Sequence, residues 1–190
     1  QELGAAARMQ AEKNGTSQLY ELDREAEMVS PGADGVVFLP YMAGERSPIW
    51  NPRAKGVFFG LDYSKTRGHM IRAAMEGVGF YLRHNLQVAE EAGVRVSQLR
   101  AANSRLWTQM KADITGKEIL VPGSDTAGAL GASILAGVGA GLYQSFEEAV
   151  SRTVTIRRSH KPAEENRPTY RQYRYLYENL KPMMSDKEEQ

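Results

Sequence analysis

The stretch LRAANSRLWTQMKADITGKEILVP, residues 99–122, combines an extended segment, a helix and a second extended segment in close succession. Large apolar side chains recur at helical spacing after Ser104, which is a suitable N-cap, and Thr115-Gly116 ends the helical pattern. Residues 99–101 can close a strand before this helix, and EILVP is the next strand candidate. A strand, a helix and another strand in this order are typical of α/β proteins.

The rest of the chain alternates in the same way. Helices are predicted over residues 1–12, 19–29, 69–91, 146–150 and 168–180 and from about residue 126, and the apolar runs 36–42 and 57–61 are strand candidates. The polar stretch His160-Lys161-Pro162 is predicted to link the last two helices. In the final helix, YRQYRYLY mixes cations and aromatic rings as a nucleic-acid surface does. Its tyrosines nevertheless fall on one helical stripe, which predicts docking onto the domain.

The composition limits the possible classes of protein. With 190 residues, of which 42% are hydrophobic, the chain can bury the core of one domain or of two small ones. The formal net charge of +1 does not provide the positive field expected of a nucleic-acid binder. The absence of cysteine excludes disulfides and thiolate metal sites and fits a reducing cytoplasm. The longest apolar run, residues 129–143, is too short and too rich in glycine for a membrane span, and we expect a buried helix there.

Two strand-to-helix junctions are candidate ligand sites, because free backbone N–H groups and the helix dipole favour phosphate at a helix start. The first junction, before Ser104, carries alanines where such sites usually need glycines, so an ordinary connection is the competing interpretation. The second follows the turn Gly123-Ser124-Asp125 and begins a helix in which most positions between 127 and 141 are Ala or Gly. Small residues permit close approach of a backbone or a flat ligand. Two such junctions side by side would form a nucleotide cleft.

Other polar residues are weaker candidates. His69 and His84 have no carboxylate or histidine at metal-binding spacing, which favours ordinary packing or surface roles. Glu45, Arg46 and Glu76 could act as acid-base groups, but charged residues in a loop and a helix more often hold each other or the backbone. We therefore assign neither a metal ligand nor a catalytic residue to this chain.

Several motifs together resemble one family. GVFFGLDYSKTRGHMIRAAMEG, residues 56–77, reproduces the second signature of the FGGY carbohydrate kinases. FLPYMAGERSPIWNPRAKG, residues 38–56, resembles a loop of the xylulokinase-like members, and residues 112–141 resemble the family's adenosine-binding segment. The resemblance covers nearly the whole chain, from about residue 19 to residue 180, and its motifs occur in the family's order.

The resemblance implies that residues 1–190 form the C-terminal lobe of a two-lobed sugar kinase. The implied fold is an actin-like ATPase (ribonuclease H-like) lobe, α/β, with a mixed sheet and helices on both faces. Within it we expect strands and the GERSP loop over 36–61, the long helix over 69–91, the adenosine-binding segment over 98–141 and the terminal helix over 168–181.

The implied activity is phosphorylation of a sugar or polyol by ATP with Mg²⁺. The loop Gly44-Glu45-Arg46-Ser47-Pro48 favours a ketose such as xylulose. In the family the first phosphate loop, most sugar contacts and the catalytic Asp belong to the N-terminal lobe or the lobe boundary, and their motifs are absent from this sequence. The N-terminal lobe is therefore an expected partner. A homodimer is possible, and we expect a cytoplasmic protein without nucleic-acid or membrane partners.

The same resemblance places the adenosine pocket at Ala102, Asn103 and Ser104, together with Gly128 and Ala129. The family carries a glycine-rich turn between this strand and this helix, and a few residues of that turn are absent after Ala101. Either the chain has a deletion that would cripple ATP binding, or the printed sequence omits a mobile loop. Truncation or a split gene would likewise account for the missing lobe. The alternative functions are a noncatalytic nucleotide-binding or interaction module that retains only this lobe, and an unrelated α/β scaffold.

Overall fold

The computed structural model describes residues 2–101, 104–123, 127–163 and 167–184. Within these ranges the helices are α1 (Glu2–Asn14), α2 (Gln18–Glu27), α3 (Arg67–Glu91), α4 (Arg105–Thr115), α5 (Ala127–Gly139), α6 (Phe146–Thr153) and α7 (Arg167–Leu180). The strands are β1 (Val37–Leu39), β2 (Val57–Phe59), β3 (Gln98–Arg100), β4 (Glu118–Pro122) and β5 (Ile156–His160). Short 3₁₀ turns cover Ala33–Gly35 and Lys181–Met184.

The strands form two sheets among the described residues. β1 pairs with β2 in antiparallel register, with Phe38 opposite Phe58. The second sheet has the order β3-β4-β5, in which β3 is parallel to β4 and β4 is antiparallel to β5. The predicted combination of helices with a mixed sheet is thus confirmed.

The helix starts follow local capping chemistry. Ser17 precedes α2, and its Oγ accepts a hydrogen bond from the backbone N–H of Tyr20 at 3.1 Å. Ser145 precedes α6 and accepts in the same way from the N–H of Glu148, also at 3.1 Å. Such caps satisfy N–H groups that have no partner inside the helix. β1 is shorter than the predicted run 36–42, because Pro40 has no N–H to donate to a ladder.

Two sequence predictions are corrected. The polar link predicted at His160-Lys161-Pro162 begins one residue later than expected, because His160 is the last residue of β5 and pairs with Ile119 of β4. The apolar helix expected to be buried, α5, is exposed over most of its length, with only Ile134 and Gly137 buried. Its small side chains pack mainly against α6, and the described part of the chain supplies little else to cover them.

Helix α3 is the centre of the packing, since it contacts α2, β1, α4 and α7. Its glycines at positions 77 and 79 are explained by the close approach of neighbouring elements to the helix there. A Cβ atom on Gly77 would lie 2.5 Å from the carbonyl oxygen of Phe38 in β1, and one on Gly79 would lie 2.7 Å from the Ile114 side chain in α4. Larger residues at these positions would push the strand and the neighbouring helix away from α3.

A buried ion pair joins α3 to the segment before β1. Glu76 is 2% exposed, and its carboxylate accepts the N–H of Gly32 at 3.0 and 3.2 Å and Nε of Arg72 at 2.9 Å. The Arg72 guanidinium also donates to the carbonyls of Ala26 and Val29. Burial raises the pKa of Glu76, while the Gly32 and Arg72 hydrogen bonds lower it. Glu76 therefore has a structural role.

The predicted docking of the last helix is confirmed. Tyr170, Tyr173 and Tyr177 of α7 are buried together with Tyr41, which follows β1. The hydroxyl groups of Tyr41 and Tyr173 hydrogen bond at 2.7 Å inside this cluster, which satisfies two phenols away from water. The guanidinium of Arg83 lies 4.4 Å from the centre of the Tyr170 ring and ties α7 to α3.

Replacing Glu76 with alanine leaves the Arg72 cation buried without its carboxylate. We expect the free energy of unfolding, measured by urea denaturation, to fall by about 3–5 kcal/mol. Arg152→Ala removes the exposed partner of Glu148, which lies 3.1 Å away, and serves as the control. Its cost should stay below about 1 kcal/mol. Equal losses in the two variants would contradict the role given to Glu76.

His84 should make stability depend on pH. Burial, and then the nearby Arg174 cation, lower its pKa to about 4, against about 6.5 in the unfolded chain. The unfolded chain therefore binds the extra proton between these values, and the free energy of unfolding falls as pH decreases, by up to about 1.4 kcal/mol per pH unit. Urea denaturation of the unaltered chain and of His84→Leu at about pH 7.5 and about pH 5 tests this. The loss on acidification should be smaller in the variant, and an identical loss would refute the prediction.

Candidate functional site

Two strand ends meet at one edge of the second sheet. Because β3 and β4 are parallel neighbours, their carboxyl ends lie at the same edge. Ser104 opens α4 after β3, and α5 begins at Ala127 after β4. Open α/β sheets bind ligands in the crevice outside the carboxyl ends of their strands.

Ser104 is the N-cap of α4. Its Oγ accepts a hydrogen bond from the N–H of Trp107 at 3.1 Å, and its carbonyl accepts one from Thr108 Oγ1 at 2.7 Å. The side chain is half-buried and lines a groove. Since Oγ accepts from Trp107, its O–H is free to donate into the groove, which Asp23 of α2 also lines.

This first groove, of about 510 Å³, lies between α2 and the start of α4, and we call it the polar groove. Its walls carry charges of both signs, beside the half-exposed ring of Tyr20. The carboxylates belong to Asp23 and Glu27, and the guanidinium groups belong to Arg24 and Arg105. Guanidinium groups bind phosphate well, and the N-terminal end of a helix also favours negative charge. The polar groove therefore combines phosphate-binding groups with carboxylate acceptors.

A second groove, of about 360 Å³, adjoins the first and shares Leu19 and Asp23 with it. We call it the apolar groove, because its other lining residues are almost all apolar. They include Leu22, Phe38, Ile71, Met75, Val78 and Trp107. Trp107 is held in place by a hydrogen bond from Nε1 to the carbonyl of Met75 at 3.2 Å. A fixed indole among aliphatic side chains can accept a flat aromatic group.

The structure describes three of the predicted site residues. Ser104 lies against α2, while Gly128 and Ala129 are exposed at the start of α5. No heavy atom of the described residues approaches within 4 Å of a Cβ atom built on Gly128, apart from its own neighbours in the chain and helix. Ala102 and Asn103 lie outside the described residues, and so does the predicted break after Ala101.

The carboxylates that could be mistaken for catalytic groups have structural partners. Asp62 Oδ1 accepts the N–H and hydroxyl of Ser64, and these hydrogen bonds lower its pKa. Asp113 Oδ1 accepts from Gln109 and from the N–H of Ala163. Asp125 lies outside the described residues. Within the described ranges there is no group of three His, Asp or Glu side chains suited to hold a metal ion.

Sequence reasoning missed the wall of the groove that α2 supplies. The available signal was the spacing of Leu19 and Asp23, which are four residues apart and therefore share one face of the helix. A carboxylate on an otherwise apolar helix face indicates a polar partner across that face.

Across the described residues, no helix combines the length and the apolar character needed to cross a membrane.

Comparison with known proteins identifies the family. The profile described as "FGGY family of carbohydrate kinases, C-terminal domain" matches residues 1–140. The xylulose kinase structure from Rhodospirillum rubrum superposes with a TM-score of 0.79 at 30% identity, covering 96% of this chain and 38% of that one. The chain therefore belongs to the FGGY family of carbohydrate kinases, and its fold is that of the actin-like ATPases.

Two curated relatives have different named activities. A gluconokinase from Bacillus licheniformis is 43% identical over 84% of this chain and 32% of its own length. A xylulose kinase from Escherichia coli is 35% identical over 92% of this chain and 38% of its own length. The chain thus spans about a third of the length of the curated relatives that it matches.

Ser104→Ala should destabilise the chain, because it removes the side-chain cap of α4. We expect the free energy of unfolding to fall by about 1 kcal/mol in urea denaturation. Ser133→Ala is the matched control, since the Ser133 hydroxyl, on the exposed helix α5, donates to the Ala129 carbonyl and has no other hydrogen-bonding partner among the described residues. Its effect should stay within about 0.5 kcal/mol. A loss at Ser104 no larger than that at Ser133 would contradict the capping role.

Proposed function

We propose that this chain forms the nucleotide-binding lobe of a carbohydrate kinase, which transfers the γ-phosphoryl group of ATP to a hydroxyl group of a sugar or polyol. The observation that carries the proposal is the polar groove, which is lined by Ser104 at the start of the helix that follows β3 and is adjoined by the apolar groove. Membership in the FGGY family supports the reaction class.

The residues at the starts of α4 and α5 have distinct roles in nucleotide binding. Ser104 shapes the start of α4, and Arg105 beside it offsets phosphate charge. Gly128 and Ala129 at the start of α5 leave room for the nucleotide to approach the backbone. Ala102 and Asn103, in the connection before α4, complete the proposed adenosine pocket.

Mg²⁺ fits this chain only through the nucleotide. The described residues provide no cluster of three metal-ligating side chains, so the ion would arrive bound to ATP phosphates, as Mg²⁺ commonly does. When bound, it neutralises charge that develops on the phosphates during transfer. This chain's residues hold the nucleotide and carry out no proton transfer in the proposal.

The sugar contacts and the group that accepts the hydroxyl proton are proposed to lie on an N-terminal lobe. The substrate is proposed to be a ketose such as xylulose, because the loop Gly44-Glu45-Arg46-Ser47-Pro48 resembles xylulokinase-like members. Gluconate is the competing substrate, since a gluconokinase is 43% identical to this chain.

Nucleotide binding by the purified chain tests the site. Titration with ADP, followed by ¹⁵N-¹H NMR, should shift the amide signals of Ser104, Trp107 and their neighbours on α2. Signals of α7, which lines neither groove, should stay unchanged. Absence of binding at millimolar ADP, or shifts confined to α7, would overturn the proposed nucleotide site.

The chain alone should not phosphorylate a sugar, because loss of the general base typically costs about 10²-fold to 10⁴-fold and loss of the opposite cleft wall removes alignment as well. A coupled ADP-release assay with D-xylulose, gluconate and glycerol measures this, with the Bacillus licheniformis gluconokinase as positive control. Turnover comparable to the control would show that the catalytic groups lie on this chain. Nucleotide binding without turnover, even after addition of an N-terminal lobe, would favour the noncatalytic module.

A further inference from the structure

Strand β2 forms an open edge of the first sheet. On the opposite side of that sheet, helix α3 packs against β1, and its Gly77 lies beside the carbonyl of Phe38. β1 is the strand that pairs with β2, and within the described ranges no second strand does so. The backbone groups along the outer side of β2 therefore have no ladder partner in that part of the chain. Such an edge is a template for pairing with another strand.

The side chains of β2 leave this edge open to pairing. The second sheet is edged by β3, which carries one arginine, and by β5, which carries two. Cations on an edge strand oppose pairing with another molecule. β2 is Val57-Phe58-Phe59, without a charge or a proline. Phe59 and Leu61, which lies just beyond the strand, are half-exposed. This edge is thus apolar where the other two are charged.

An antiparallel copy of β2 matches the edge in both side-chain character and charge. Pairing about a two-fold axis at Phe59 sets the exposed Phe59 ring beside its own copy, and it brings Val57 of one molecule toward Leu61 of the other. Lys55 precedes β2 and Asp62 follows it, and both side chains are exposed. In the antiparallel arrangement Lys55 of one molecule approaches Asp62 of the other. Opposite charges therefore flank an uncharged strand, and the edge is complementary to itself.

We propose that β2 is a homodimer interface, in which the β2 strands of two copies of this chain pair in antiparallel register and join their two-stranded sheets into one continuous sheet. The inference goes beyond the proposed function, because residues 55–63 are not among the residues that line the two grooves. Since β2 has three residues, the contact is small, and interfaces below about 1,200 Å² are weak. We expect a dissociation constant of about 10–100 µM.

Sedimentation velocity tests the dimer directly. Because association follows mass action, the unaltered chain should sediment as a monomer at about 1 µM and mainly as a dimer at about 500 µM. Phe59→Lys places two like charges opposite each other at the axis, so this variant should stay monomeric at the higher concentration. Tyr175→Lys is the matched control, since Tyr175 is an exposed aromatic residue on α7. It should dimerise as the unaltered chain does.

The absence of cysteine from the chain allows a second test, which locates the axis. In Phe59→Cys the thiols of two paired copies face each other at a separation that a disulfide can span. Oxidation with diamide should therefore give a covalent dimer on a non-reducing gel. It should form at least about tenfold faster than in Tyr175→Cys, because pairing raises the effective concentration of the thiols.

Three results would overturn the inference. The first is an unaltered chain that stays monomeric at the higher concentration. The second is a dimer that survives Phe59→Lys, because its interface would then lie elsewhere. The third is cross-linking at equal rates through positions 59 and 175, because random collision would explain it. Circular dichroism checks that Phe59→Lys is folded, and if it is not, the two cross-linking rates decide.

Discussion

The buried pair formed by Glu76 and Arg72 is the constraint on which the arrangement of the helices depends. The Glu76 carboxylate receives the N–H of Gly32, and the Arg72 guanidinium reaches the carbonyls of Ala26 and Val29 at the end of α2. These contacts fix α3 relative to α2 and to the turn before β1. Because α4 also packs on α3, they set the distance between the two helices that form the walls of the polar groove. This ion pair does not line the polar groove, yet it thereby influences the width of that groove.

The elements that could be predicted from sequence are those whose signal is local. The long helix α3 and the tyrosine stripe of α7 have an uninterrupted helical period, and both lie where the sequence predicted them. Strand β5 was missed because Arg157, Arg158 and Ser159 carry no apolar alternation, and the strand exists through its pairing with β4. The exposure of α5 was missed because hydrophobicity alone does not determine burial, which also needs a neighbouring surface.

In the candidate site too, residues with a local sequence signal could be predicted, whereas contacts made by tertiary packing could not. Ser104 could be recognised because a serine directly before a helical period is a common N-cap, and because it follows a strand. The opposite wall left only the weaker signal of Leu19 and Asp23 on one helix face, since Asp23 and Ser104 lie far apart in sequence and line one groove only after α2 and α4 have packed against α3. For Gly128 and Ala129 the sequence signal was present, but the expected neighbour was not found. Their residue types indicate close approach, but no described residue outside the helix's own neighbourhood lies within 4 Å of a Cβ atom built on Gly128.

The charge of strand β5 affects how the molecule behaves in solution. β5 forms one edge of the three-stranded sheet, so the backbone groups on its outer side have no ladder partner among the described residues. Such an edge can recruit a strand from another molecule and begin aggregation. Arg157 is exposed on this strand, and Arg158 beside it is half-buried. A second β5 approaching the same edge would bring like charges together, so cations that look out of place in a strand help to keep separate molecules apart.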